Sequence, residues 1–213
     1  MEELTIIQKI AAYAIPIIFA ITVHEAAHGY VARYFGDMTA QYLGRITLNP
    51  LKHIDPVGTI ILPALTVMLG GILFGWAKPV PVNFSNLRNP KKNMMWVALA
   101  GPFSNLLMAI FWTFLYARLQ FFPDNSILFL SAMALAGIQI NLILMVLNML
   151  PIPPLDGGRV AVSLLPYPWS NYVENLERYG LFIIIFLLFS GVLGNILFPV
   201  INISKSIIFS IFG

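Results

Sequence analysis

Apolar residues run along this chain in five long blocks, residues 4–23, 57–75, 94–117, 127–150 and 181–201, divided by polar intervals at 36–56, 76–93 and 151–178. Several blocks reach the roughly 20 residues that carry an α-helix across a bilayer core. The pattern predicts an all-α polytopic membrane protein with about five to six transmembrane helices. The polar intervals read differently. Residues 36–56, GDMTAQYLGRITLNPLKHIDP, mix Thr, Tyr and Ile with Gly, Asn and Pro, which predicts short strands and turns at the membrane edge. In residues 76–93, WAKPVPVNFSNLRNPKKN, the PVPV run must be extended, because proline fixes its own φ and pushes its predecessor out of the helical region. A membrane-edge or re-entrant β segment is expected there. The C-terminal stretch 181–212 contains Gly191, Gly194, Asn195 and Pro199, compatible with one kinked helix or with two shorter ones.

Composition agrees with the pattern. With 59% hydrophobic residues, 10% charged and a mean hydropathy of +0.83 over 213 residues, the chain is too apolar for a soluble domain of its length. A multi-pass protein of the cell membrane is expected, with the lipid bilayer as its surroundings. The first apolar block has no small-residue cleavage signature and is read as retained. The absence of cysteine excludes disulfides, thiolate nucleophiles and Cys-based metal sites, so any metal must rest on His and carboxylate. The net charge of +3 is scattered through loops, which speaks against nucleic-acid binding. No repeat, low-complexity tract or soluble-sized polar segment interrupts the chain, so residues 1–213 are read as one membrane-embedded domain.

The candidate chemistry begins at ITVHEAAHGYVARYFGD, residues 21–37. On a helix, His24 and His28 lie one turn apart on one face, where both imidazoles can grip one ion, and Glu25 beside them can take a proton from water. Ionisable groups beside a membrane span are costly unless partnered and are functional by default. Hydrolytic zinc sites commonly take three protein ligands, so another must come from elsewhere. His53, Asp55, Asp156, Glu174 and Glu177 lie near membrane boundaries. Asp156 stands out, because Pro151, Pro153 and Pro154 break the preceding helix and Gly157 and Gly158 free the backbone beside it. Non-helical backbone at membrane depth persists only where protein buries it or a water-filled cavity meets it.

These residues resemble the site-2 protease family of intramembrane zinc metalloproteases. That family pairs HExxH in one transmembrane helix with NxxPxPxxDG in another, here running from Asn148 through Pro151 and Pro153 to Asp156 and Gly157. Residues 100–105, AGPFSN, are similar to the family's glycine-and-asparagine motif, and GRITLNPLKHIDPVGT and FGWAKPVPVNFSNLR look like its compact bacterial and archaeal branch. The resemblance spans about residues 15–166 and includes neither PDZ insertions nor CBS extensions. It implies proteolysis within or beside the membrane, with His24, His28 and Asp156 holding one Zn2+ per chain and Glu25 as the catalytic base.

Further expectations follow for topology and substrate. If residues 57–75 enter the membrane and FGWAKPVPV returns to the same side, then Arg33, Arg45, Lys52, Lys78, Arg88, Lys91, Lys92, Arg159 and Arg178 share a side, against Arg118 opposite. The positive-inside rule makes that side cytoplasmic and opens the site toward the cytosol. The substrate would be a membrane-spanning protein or peptide, opened locally before attack. Asn148 and Asn105 are candidate substrate or oxyanion contacts. Residues 76–84 could pair with substrate as a strand, through Trp76, Val80, Val82 and Phe84. His53 is a candidate gate. Oligomeric state is left open. A silent metal-binding protein and a divalent-metal transporter are the competing classes; the intact Glu25 speaks against the first, and the lack of further intramembrane carboxylates against the second.

Overall fold

A computed structural model describes residues 4–61, 77–122 and 127–212. Among these residues the helices are α1 (Ile6–Tyr34), α2 (Thr39–Tyr42), α3 (Pro90–Leu119), α4 (Leu128–Asn148), α5 (Asp156–Leu164), α6 (Trp169–Asn175), α7 (Glu177–Phe189) and α8 (Val192–Phe212). Short 3₁₀ turns at Pro50–Lys52 and Phe84–Asn86 and a π-helical turn at Pro56–Ile61 punctuate the loops. Four helices, α1, α3, α4 and α8, are long and apolar enough to cross a membrane. The expectation of five to six is not met among the described residues, for two reasons. Most of the 57–75 block lies outside them, and the C-terminal block is cut at Gly191, whose φ of +75° ends the helical run and leaves α7 with 13 residues. That is too few to span.

No strand occurs among the described residues, which corrects the expected β segments. In the 36–56 interval, side-chain acceptors start turns instead. The Asp37 carboxylate receives the Thr39 N–H at 3.1 Å at the start of α2, and Asn49 Oδ1 receives the Leu51 N–H at 3.1 Å at the start of a 3₁₀ turn. Residues 77–83 are irregular as well, but they build no ladder. Pro79 and Pro81 have no N–H, while the N–H groups of Lys78, Val80 and Asn83 go to His53 O (2.9 Å), Glu25 Oε2 (2.7 Å) and Asp37 Oδ2 (2.7 Å). The segment is a strap tied down mainly by side chains.

Helix α1 opens on a capping box in which Thr5 and Gln8 satisfy each other's backbone N–H groups. It packs against α3 and α4, which also pack on each other. Ala20, Ala109 and Ala134, one from each helix and all 0% exposed, let the three backbones approach, with Trp112, Ile138 and Leu142 filling the space around them. Helix α8 covers α3 and α4 with a stripe of Leu193, Leu197, Ile201 and Ile208. Phe103, Phe111, Ile7 and Phe198 point outward, as residues in contact with lipid do.

One end of the bundle is sewn shut by polar contacts. Arg88 donates its Nη2–H to Tyr34 O at 2.6 Å and its backbone N–H to Phe35 O at 3.0 Å, so the end of α1 meets the start of α3. Asp37, fully buried, receives hydrogen bonds from the Thr39 hydroxyl and amide, the Asn83 amide and the Asn86 side chain. Burial alone would push this carboxyl up, but those four donors outweigh it and hold its pKa below the ordinary aspartate value.

A depressed folded-state pKa contributes stability that is present in full above the unfolded value near 3.9 and lost as pH falls through the folded value. Asp37→Ala is expected to lower stability by about 2 kcal/mol at neutral pH. In unfolding titrations of the detergent-solubilised chain, the gap between native and variant should narrow as pH drops below about 4.

Candidate metal centre

His24 and His28, both buried, turn their Nε2 atoms to within 3.1 Å of each other on α1. Asp156, the first residue of α5, completes a triangle. Its Oδ2 lies 3.2 Å from His24 Nε2, and its Oδ1 lies 3.3 Å from His28 Nε2. Zinc bonds of 2.0 to 2.2 Å in a tetrahedral arrangement put neighbouring donors roughly 3.3 Å apart, so the two imidazoles and the carboxylate, whose two oxygens each approach one ring, are close enough to ligate one such ion. The buried Asp156 Oδ2 has no hydrogen-bond partner, an orphan that a cation would satisfy. Two imidazoles and a carboxylate are also a donor set that suits zinc. Among the described residues this is the group of His and acidic side chains assembled closely enough to hold a metal ion.

Asp156 arrives there because the chain doubles back. Helix α4 stops at Asn148, and the prolines at 151, 153 and 154 prevent it from continuing. The first turn of α5 then lies directly on the backbone it has just left. A Cβ on Gly157 would strike the Met149 and Leu150 carbonyl oxygens, and one on Gly158 would strike Ile152 and Pro153. Without side chains at both positions, the residue before them can face α1. The N-terminal end of α5 also favours a carboxylate at its first residue.

The partner helix α3 contributes an absence and two acceptors. A Cβ on Gly101 would sit 2.5 Å from His28 Nε2 and 2.6 Å from His24 Nε2, so only glycine leaves room for both rings. Behind the rings, His28 Nδ1 meets the Val97 carbonyl at 2.7 Å, and His24 Nδ1 meets Asn105 Oδ1 at 2.6 Å. A carbonyl can only accept, so His28 carries its proton on Nδ1 and presents the Nε2 lone pair to the donor triangle.

The other expected residues fall as follows. Glu25 is half-buried, with Oε2 accepting the Val80 N–H. Asn105 is fully buried behind His24, its amide engaged by His24 and Asn141; it therefore backs a ring instead of facing a substrate. Asn148 is half-buried and donates to Leu144 O of its own helix at 3.0 Å. Val80 is buried against Gly29, Val82 is half-buried, and Phe84 opens a 3₁₀ turn beneath the Arg159 guanidinium, 5.3 Å from its ring centre. Trp76 lies outside the described residues. His53 is 2% exposed, its Nε2 held by Thr47 O at 3.0 Å, and it stands apart from the donor triangle as a brace for its loop. Of the other candidate third ligands, Asp55 caps the π-helical turn through the Val57 and Gly58 amides, Glu177 pairs with Arg159, and Glu174 is exposed.

Sequence reasoning missed Val97, the obligatory space at Gly101, and Asn141. A signal for Asn141 was present. It lies seven residues before Asn148 in the otherwise apolar 127–150 block, on the same helical face, where amides are expensive unless partnered.

This arrangement, two histidines one turn apart and an aspartate from a broken helix inside an apolar bundle, defines a membrane-embedded metal-site protein. Residues 123–191 match the peptidase family M50. Over 204 residues the chain is 39% identical to the "Putative zinc metalloprotease YwhC" of Bacillus subtilis, covering 93% of this chain and 90% of the relative. It is 31% identical to the "Putative zinc metalloprotease Rip2" of Mycolicibacterium smegmatis, covering 86% and 69% of the two chains. Against the "Putative zinc metalloprotease MJ0611" of Methanocaldococcus jannaschii the identity is 30%, covering 75% and 73%. No solved structure matches at a significant level. The chain belongs to peptidase family M50, the site-2 protease family.

Gly101→Ala is expected to lower zinc retained through purification at least 10-fold while leaving helix content by circular dichroism unchanged. The added methyl occupies the space of the two imidazoles, not the space between helices.

Proposed function

We propose that this protein is an intramembrane zinc endopeptidase that hydrolyses peptide bonds in membrane-spanning protein substrates, holding one zinc ion per chain on His24, His28 and Asp156. The observation that carries the proposal is the meeting of three side chains, with the two Nε2 atoms 3.1 Å apart and each within 3.2 to 3.3 Å of an Asp156 oxygen, and with Glu25 on the same turn of α1. Zinc bound there supplies a Lewis acid and lowers the pKa of a coordinated water to about 7. Glu25 accepts the proton of the attacking water and returns it to the leaving amine. The Val80 N–H fixes one oxygen of that carboxylate and leaves lone pairs on the other to take the proton.

The strap supports a substrate path along the same edge. Proline at 79 and 81 holds Lys78 and Val80 in extended geometry, and Val80 and Val82 share an edge of the extended backbone. A substrate strand laid against Val82 would bring a carbonyl toward Glu25. Asn148, at the end of α4 and half-buried, is the amide that would contact it. Glu25 lies about 14 Å along α1 before its end at Tyr34, and Gly101 lies about 14 Å along α3 from Lys92, which would set the site well inside a hydrocarbon layer about 30 Å thick. With Arg45, Lys78, Arg88, Lys91 and Lys92 at that end of the bundle, the site opens toward the cytoplasm.

Glu25→Gln should retain the native zinc content and lose cleavage of a helix-destabilised single-span substrate by roughly 10²- to 10⁴-fold. Stoichiometric zinc with no cleavage by the native chain across several such substrates would count against the peptidase reading. For orientation, a cysteine at Ser85 should react with an impermeant reagent from the cytoplasmic face alone; labelling from outside would reverse the assignment.

A further inference from the structure

Two asparagines lie fully buried inside the spanning helices, Asn105 on α3 and Asn141 on α4. They link His24 to a backbone carbonyl on a third helix. His24 Nδ1 lies 2.6 Å from Asn105 Oδ1, Asn105 Nδ2 donates to Asn141 Oδ1 at 2.8 Å, and Asn141 Nδ2 donates to Gly137 O at 2.8 Å. The direction of this chain is compelled from its far end. Gly137 O can only accept, so Asn141 must turn its NH₂ toward it and its oxygen toward Asn105. Asn105 must then answer with its own NH₂, which leaves its oxygen facing His24. That oxygen accepts from Nδ1–H, so the Nε2 lone pair is the one left over. The Ala20 carbonyl, 3.5 Å from Asn105 Nδ2, favours the same orientation.

We propose that Asn141 is a positioning residue for the metal centre: through Asn105 it fixes His24 as the Nδ1–H tautomer, with its Nε2 lone pair aimed at the ion. The proposal rests on the zinc reading above and extends it to a residue that touches none of the three ligands. Packing alone does not account for Asn141. Its NH₂ is satisfied by its own helix, and its inter-helix hydrogen bond among the described residues is the one it accepts from Asn105, whose buried NH₂ an apolar side chain there would leave with the 3.5 Å contact to Ala20 O. His28 needs no such relay, because Val97 O does the same work directly.

The test measures zinc affinity of the full chain in detergent by competition with a chromogenic chelator. Asn141→Leu should weaken zinc binding about 10-fold or more, within the range seen for outer partners of metal-ligating histidines. Asn105→Leu should weaken it at least as much, and the double variant should be no worse than Asn105→Leu alone, because Asn141 acts through Asn105. Asn141→Thr should recover most of the loss, since a threonine hydroxyl can donate to the carbonyl four residues back and accept from Asn105. If Asn141→Leu does not yield folded protein, Asn141→Ala removes the same groups without bulk and carries the same comparison. An affinity within about 2-fold of native for the Leu or Ala variant, or losses that add in the double variant, would overturn the proposal. A native chain that binds no zinc would instead overturn the metal reading on which it rests.

Discussion

The meeting of one carboxylate with two imidazoles inside an apolar bundle is the constraint on which the rest of this structure depends. Three polar groups buried among apolar helices are expensive unless each is partnered. The fold partners them in two directions. Toward one another they present Nε2 and Oδ atoms at 3.1 to 3.3 Å, the spacing a tetrahedral cation requires. Away from one another each ring nitrogen finds an acceptor on α3. The absence of side chains at Gly101, Gly157 and Gly158 is the steric counterpart: it lets α3 approach the rings and lets α5 fold back beneath α4.

Much of the site could be read from the chain because its ligands obey short-range rules. His24 and His28 are spaced by one helical turn, and the PIPPLDGG run declares both the break before Asp156 and the close approach after it. The remaining residues depend on which helices face each other, and periodicity does not encode that. The motif of Asn105 predicts a substrate contact because it lies near the site; only the packing of α1 on α3 shows that it stands behind His24. The β expectation failed for a related reason. Extended geometry at Pro79 and Pro81 was legible, but a strand also needs a partner, and the N–H groups of Lys78, Val80 and Asn83 go to His53, Glu25 and Asp37 instead of to a neighbouring strand.

The strap joins fold and chemistry. Asp37 fastens its distal end at Asn83 just beyond α1, and its Val80 amide reaches the glutamate beside the ligands. Loop and helix are therefore held in one register by buried or half-buried hydrogen bonds, not by a sheet. The contacts of Arg88 put the end of α1 and the start of α3 at one end of the bundle, while the outer faces of the helices stay apolar.

X-ray absorption at the zinc edge, on the purified chain in detergent, tests the central claim most directly. The account predicts one zinc per chain in a four-coordinate nitrogen and oxygen environment, with two imidazoles near 2.0 Å and the imidazole signature halved in His28→Ala. A chain that takes up no zinc, or a zinc environment unchanged in that variant, would contradict it.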